Sequence, residues 1–62
     1  MKKTLATAPT KEGLEKLINE YFYSTNYIIK DDRPYSTKSG YAPERFKVTY
    51  SRGRYRFIRE ED

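Results

Sequence analysis

One segment constrains this chain more than any other: Phe46-Lys47-Val48-Thr49-Tyr50-Ser51-Arg52-Gly53-Arg54-Tyr55-Arg56-Phe57-Ile58-Arg59. Its two arms alternate in character with period two around Arg52-Gly53, and that period sends successive side chains to opposite sides of a sheet. Glycine supplies the positive φ that a tight hairpin turn needs, although Arg-Gly leaves the turn type open. A two-residue loop sets Ser51 against Arg54, Tyr50 against Tyr55, Thr49 against Arg56, Val48 against Phe57 and Lys47 against Ile58. Val48, Tyr50, Tyr55 and Phe57 then share one face, and Lys47, Thr49, Ser51, Arg54 and Arg56 the other. A four-residue loop keeps this pairing, whereas a three-residue loop mixes the faces. A slip by one residue would expose the apolar set, so the pattern selects the two-residue register.

The chain has 62 residues, which fits one small domain without internal repeats or a second unit. In that size range a single core rarely supplies more than about 3–5 kcal/mol of net stability. Cys and His are both absent, so no disulfide contributes and the usual zinc and copper ligands are missing. Seven Tyr and three Phe are left to hold the fold together through their large buried areas. The same inventory lacks the commonest general base and the best nucleophile. Asp31 and Asp32 are adjacent and would point to opposite faces of a strand, and Glu15 and Glu20 do not share a helix face. Gly13, Gly40 and Gly53 are isolated, outside any phosphate-cradling pattern. These residues point to a non-enzymatic protein without cofactor or metal.

The net charge is +4, and its distribution matters more than its size. Residues 1–32 hold five Lys and five carboxylates, whereas residues 33–59 hold six Arg and two Lys against Glu44 alone. Residues 60–62 are all acidic. A positive field clustered on the hairpin and the segment before it favours an anionic partner. Met1-Lys2-Lys3 resembles the start of a secretory leader, but Pro9, Lys11 and Glu12 interrupt any apolar run. No stretch approaches membrane-spanning length, so a cytoplasmic protein with no membrane partner is expected.

Thr10 to Tyr23 carries the clearest helical signal. Leu14, Leu17, Ile18, Tyr21 and Phe22 recur at helical spacing and form one apolar stripe. Thr10 is placed to cap the first turn, and Glu12 suits the positive end of the helix dipole. Gly13 is a flaw on propensity alone. Residues 26–31 have strand preference, but the consecutive Ile28 and Ile29 leave the inward face undecided. Residues 32–44 contain Pro34, Gly40 and Pro43 and are expected to be a loop. Residues 4–8 are either a short edge strand with Leu5 inward or part of a frayed end spanning 1–9, and 60–62 form the other free end.

The simplest assembly is α+β: a helix over about 11–23 packed on a three-stranded antiparallel sheet of 26–31, 45–51 and 54–59, with 4–8 as an optional extra strand. The expected core is Leu14, Leu17, Ile18, Tyr21, Phe22, Ile29, Phe46, Val48, Tyr50, Tyr55 and Phe57. The helix covers one sheet face and leaves the cationic face open. On that face Lys47, Arg52, Arg54 and Arg56 are candidates to contact phosphates, with Arg33, Lys38 and Arg45 extending the path. Tyr35 and Tyr41 are the expected base-stacking groups, because Tyr50 and Tyr55 are assigned to the core. A second reading is a protein-interaction module that docks by its sheet edge and the loop bearing Tyr35 and Tyr41. A third treats the charges as a solvated face that guards against aggregation, with residues 60–62 folding back to neutralise it. Arg52 to Ile58 resembles the strand motif of RNA-recognition domains only in part. Arg54 stands where that motif has an aromatic, and the chain is too short for that fold, so no family is assigned.

Overall fold

The arms beside Arg52-Gly53 pair as their alternation requires, with Val48 opposite Phe57 and Tyr50 opposite Tyr55. The computed structural model describes residues 1–61. In chain order its elements are β1 (Lys2–Ala8), α1 (Lys11–Tyr21), β2 (Tyr27–Lys30), β3 (Arg33–Ser36), β4 (Phe46–Ser51) and β5 (Arg54–Glu60). Arg52 and Gly53 both have positive φ, 54° and 75°, as a type I′ turn demands.

An α+β fold with one helix and a three-stranded antiparallel sheet forms as expected, but its third strand is a different one. The sheet order is β1-β5-β4. The full length of β1 takes the second edge of β5, so residues 2–8 are neither frayed nor optional. A bulge between Thr4 and Ala6 resets the alternation of β1. Leu5 and Ala6 both pack on the core, Ala8 is buried, and Thr7 faces the opposite side. At the far end, Met1 and Glu61 exchange backbone bonds of 2.7 and 2.8 Å.

With both edges of β5 taken, β2 pairs instead with β3 in a second hairpin. Residues 33–36 are therefore a strand rather than loop. Asp31 and Asp32 form its turn with φ of 52° and 58°, a region Asp tolerates better than most residues. Pro34 fits here because the pair next to the one flanking a two-residue turn is not hydrogen-bonded. Its missing N–H would point away from β2, where nothing in the ladder needs it. Asp32 C=O accepts from Val48 N–H at 2.8 Å, which fastens the second hairpin to the edge of β4.

The outward backbone groups of β2 are met by α1. Asn19 Oδ1 accepts from Tyr27 N–H (2.7 Å) and Asn19 Nδ2 donates to Tyr27 C=O (3.1 Å). Glu15 Oε2 accepts from Ile29 N–H (3.0 Å). These two side chains satisfy a strand edge that would otherwise be partly buried and unpaired.

Thr10 caps α1 as expected, its Oγ1 accepting from Gly13 N–H at 3.0 Å. A Cβ at residue 13 would lie 3.0 Å from that Oγ1 and 3.4 Å from Ala8 Cβ, so the glycine permits close approach of cap and strand. The helix ends two residues earlier than expected. Tyr23 takes a left-handed conformation (φ 53°) just past the C-cap Phe22.

The core is built from Ala8, Leu14, Ile18, Ile29, Val48 and Phe57, so Ile29 rather than Ile28 is the inward residue. Phe57 is fully buried, its ring contacting Tyr21, Phe22 and Phe46 at centroid distances of 5.4–6.0 Å. Phe22 also stacks on Tyr27 at 4.4 Å. Two expected core residues lie outside it: Tyr21 is 40% exposed and Tyr50 is 60% exposed. The helix starts beside β1, three residues after Ala8, and its last turn reaches Phe46 at the start of β4. That diagonal leaves the Tyr50 corner of the sheet uncovered.

Candidate nucleic-acid interface

Cross-strand partners share a face, so the register fixes what stands on the side of the sheet away from α1. Lys2, Thr4, Thr7, Lys47, Thr49, Ser51, Arg54, Arg56, Ile58 and Glu60 lie there. The side-chain bonds agree with that register. Arg54 Nη2 donates to Thr7 Oγ1 (3.2 Å), and Arg56 Nη1 donates to Ser51 Oγ (2.6 Å) and Ser51 C=O (3.3 Å). Lys47 Nζ pairs with Glu60 Oε1 at 3.2 Å.

The β1 bulge matters for this surface. Without it, alternation from Thr4 would turn Thr7 toward the core, and Arg54 would lose its hydroxyl partner. Both guanidinium groups are thus oriented by neutral hydroxyls, and neither is neutralised by a carboxylate among the described residues. Each retains further N–H donors, since a guanidinium carries five in a planar fork. The face carries Lys2, Lys47, Arg54 and Arg56 against Glu60 as its single carboxylate, again among the described residues. The hydrogen bond and charge of Lys47 hold the Glu60 carboxyl below its ordinary range, with Lys2 and the N-terminal ammonium adding to the effect. Glu60 is therefore ionised at neutral pH and partly offsets Lys47.

The other expected contact residues scatter. Arg52 sits in the solvent-exposed turn next to Arg54. Arg45 precedes β4, with its C=O accepting from Glu60 N–H at 2.7 Å. Arg33 belongs to the second hairpin and lines a small hollow with Lys30, Asp31, Tyr35 and Ala42. Lys38 lines a shallow groove with Glu12, Lys16 and Glu20 on the outer side of α1, away from the open sheet face. Tyr35 is half-buried beneath Lys30, whose Nζ lies 4.8 Å from the ring centroid, so it is not free to stack on a ligand. Tyr41 is 58% exposed and bridges to Ser36. Asp62, the last residue of the acidic run, lies outside the described residues.

Sequence reasoning missed Tyr50 as an accessible aromatic, along with Thr7 and Ser51 as the groups that orient the arginines. The alternation placed Tyr50 on the helix side correctly, but nothing local states how far the helix reaches.

Among the described residues no group of three or more acidic residues is placed to hold a metal ion, and no helix is long and apolar enough to cross a membrane. Comparison with protein families, with curated proteins and with solved structures found no match. The chain is a one-helix α+β domain with an open basic sheet face.

Proposed function

We propose that this chain is a cytoplasmic, non-enzymatic binding domain that engages nucleic acid through the open face of its three-stranded sheet. One observation carries the reading. Arg54 and Arg56 stand side by side, held by Thr7 and Ser51 rather than by any carboxylate among the described residues, with donors left over. Carboxylate pairing would be the economical way to quiet a merely solvated face. Hydroxyl tethering instead fixes the forks while leaving their charge available to phosphate oxygens, which they can bond in pairs.

Binding of this kind is dominated by counterion release and weakens steeply with salt. If Lys47, Arg52, Arg54 and Arg56 each contact a phosphate, the slope of log affinity against log salt is about −3 to −4. Fluorescence anisotropy of a labelled oligonucleotide across a salt series measures it. Arg54→Glu with Arg56→Glu is expected to abolish binding while leaving the far-UV circular dichroism unchanged. An absence of binding at low salt to both single and double strands would remove the reading. The exposed Tyr41 is the observation that favours a protein partner instead. Partners retained after nuclease treatment and a high-salt wash would support that second reading.

A further inference from the structure

The β4–β5 hairpin runs past the helix, and its end carries different chemistry on its two sides. On the helix side Tyr50 lies over Tyr55, with ring centroids 4.5 Å apart and planes tilted by 52°. Tyr55 is half-buried and packs against the core, so it anchors Tyr50 from below. Tyr50 itself is 60% exposed. On the other side stand Arg54 and Arg56. Between them the turn projects freely, since a Cβ added at Gly53 would meet nothing within 4 Å. Arg52 occupies that turn.

Resting on the nucleic-acid reading above, we propose that Tyr50 is a stacking platform for an unpaired base, and that the ligand is single-stranded nucleic acid wrapped around the Arg52-Gly53 turn. Topology selects the single strand. A duplex keeps its bases stacked inside and is too stiff to fold around a two-stranded end, so it can meet the guanidinium side alone. A flexible single strand can cross the turn, laying a base on Tyr50 and its phosphates along Arg52 and Arg54. The ring is already held by Tyr55, so little side-chain freedom is lost on binding. Stacking of this type tolerates any base, because every base offers a π face. The stacking role therefore passes from Tyr35, which Lys30 covers, to Tyr50.

The test compares wild type, Tyr50→Ala, Tyr50→Phe and Arg54→Glu in the full chain. Anisotropy is measured with a labelled oligothymidylate of about 15 nucleotides and with a duplex of the same length. Tyr50→Ala is expected to weaken single-strand binding about tenfold, within the range seen when one stacking aromatic is removed. Duplex binding should not change. Tyr50→Phe keeps the ring and should keep the affinity, while Arg54→Glu should weaken both ligands. Full single-strand affinity in Tyr50→Ala, or equal losses on both ligands, would overturn the stacking role. Failure of the wild type to bind either ligand at about 20 mM salt would instead remove the nucleic-acid reading on which the proposal stands. Tyr50→Ala also loses the contact with Tyr55, so affinity is measured well below the melting temperature of each variant, and Tyr50→Phe, which keeps the ring, keeps the comparison decisive.

Discussion

The residue after the helix C-cap offers the sharpest test of the backbone. Tyr23 N–H donates to Glu20 C=O (3.3 Å) and Ser24 N–H donates to Asn19 C=O (2.9 Å), the paired bonds of a Schellman helix end. That motif needs a left-handed residue and usually has glycine; here the position holds a tyrosine at φ 53°. An L-residue in this region is disfavoured by roughly 1–2 kcal/mol. Its ring recovers none of that through burial, since Tyr23 is 98% exposed. Replacing it with glycine removes the steric term but adds about 0.5–1 kcal/mol of chain entropy lost on folding. The net expectation for Tyr23→Gly is a gain of about 0.5–1 kcal/mol. For a domain of this size that corresponds to a rise in Tm of roughly 4–8 °C. Thermal and urea unfolding followed by circular dichroism would read it, with the urea m value unchanged. Tyr23→Ala is the control: it removes the ring and keeps the strain, so its Tm should stay near that of wild type. A Tyr23→Gly melt at or below wild type would refute the reasoning. An equal gain in Tyr23→Ala would assign the effect to the ring rather than to the backbone.

Two further perturbations address the clamp and the charged face. Asn19→Ala leaves Tyr27 N–H and C=O without their protein partner; a loss of about 1–3 kcal/mol is expected in urea unfolding, with early amide exchange in residues 27–36. Glu60→Gln frees Lys47 from its ion pair, so oligonucleotide affinity should rise at neutral pH. In wild type the depressed Glu60 pKa preserves the pair as pH falls through the ordinary carboxylate range and loses it below. Affinity near neutral pH should therefore be flat with respect to Glu60, and an unchanged affinity in Glu60→Gln would show that Lys47 does not contact the ligand.

Local periodicity carried the hairpin and the helix into view, because both are written within a few residues. Arg52-Gly53 and the alternation on either side fix every pair from Lys47–Ile58 to Ser51–Arg54. The stripe from Leu14 to Phe22 and the cap at Thr10 likewise specify α1. What escaped was non-local. Strand preference in residues 26–31 does not say which edge the strand will join, and β1 competes for the edge of β5. The second hairpin was hidden because its turn is Asp31-Asp32, without glycine, and because Pro34 argues against a strand unless its hydrogen-bonding phase is known. Glu15 and Asn19 look like solvent-facing polar residues until β2 lies beside them. Gly13 reads as a propensity defect until Ala8 and Thr10 occupy the space a methyl group would need.

The location of the candidate site follows from the same shortage of material that makes the fold marginal. The helix has 11 residues and at 1.5 Å per residue is about 16 Å long. A strand of the length of β5, with 7 residues, spans about 23 Å. One such helix cannot roof the sheet from end to end, and its diagonal course concentrates the deficit at a single corner. The chain fills part of the gap with aromatics that cover one another, Tyr55 on the core and Tyr50 on Tyr55. The outermost ring of that stack has nothing left to cover it. Arg54 and Arg56, which flank its cross-strand partner Tyr55, alternate to the opposite side, so an exposed ring and guanidinium groups without a carboxylate partner among the described residues meet at one turn. Any side chain laid over Tyr50 from the helix side would bury that ring and remove an exposed aromatic beside the turn that carries Arg52 and Arg54.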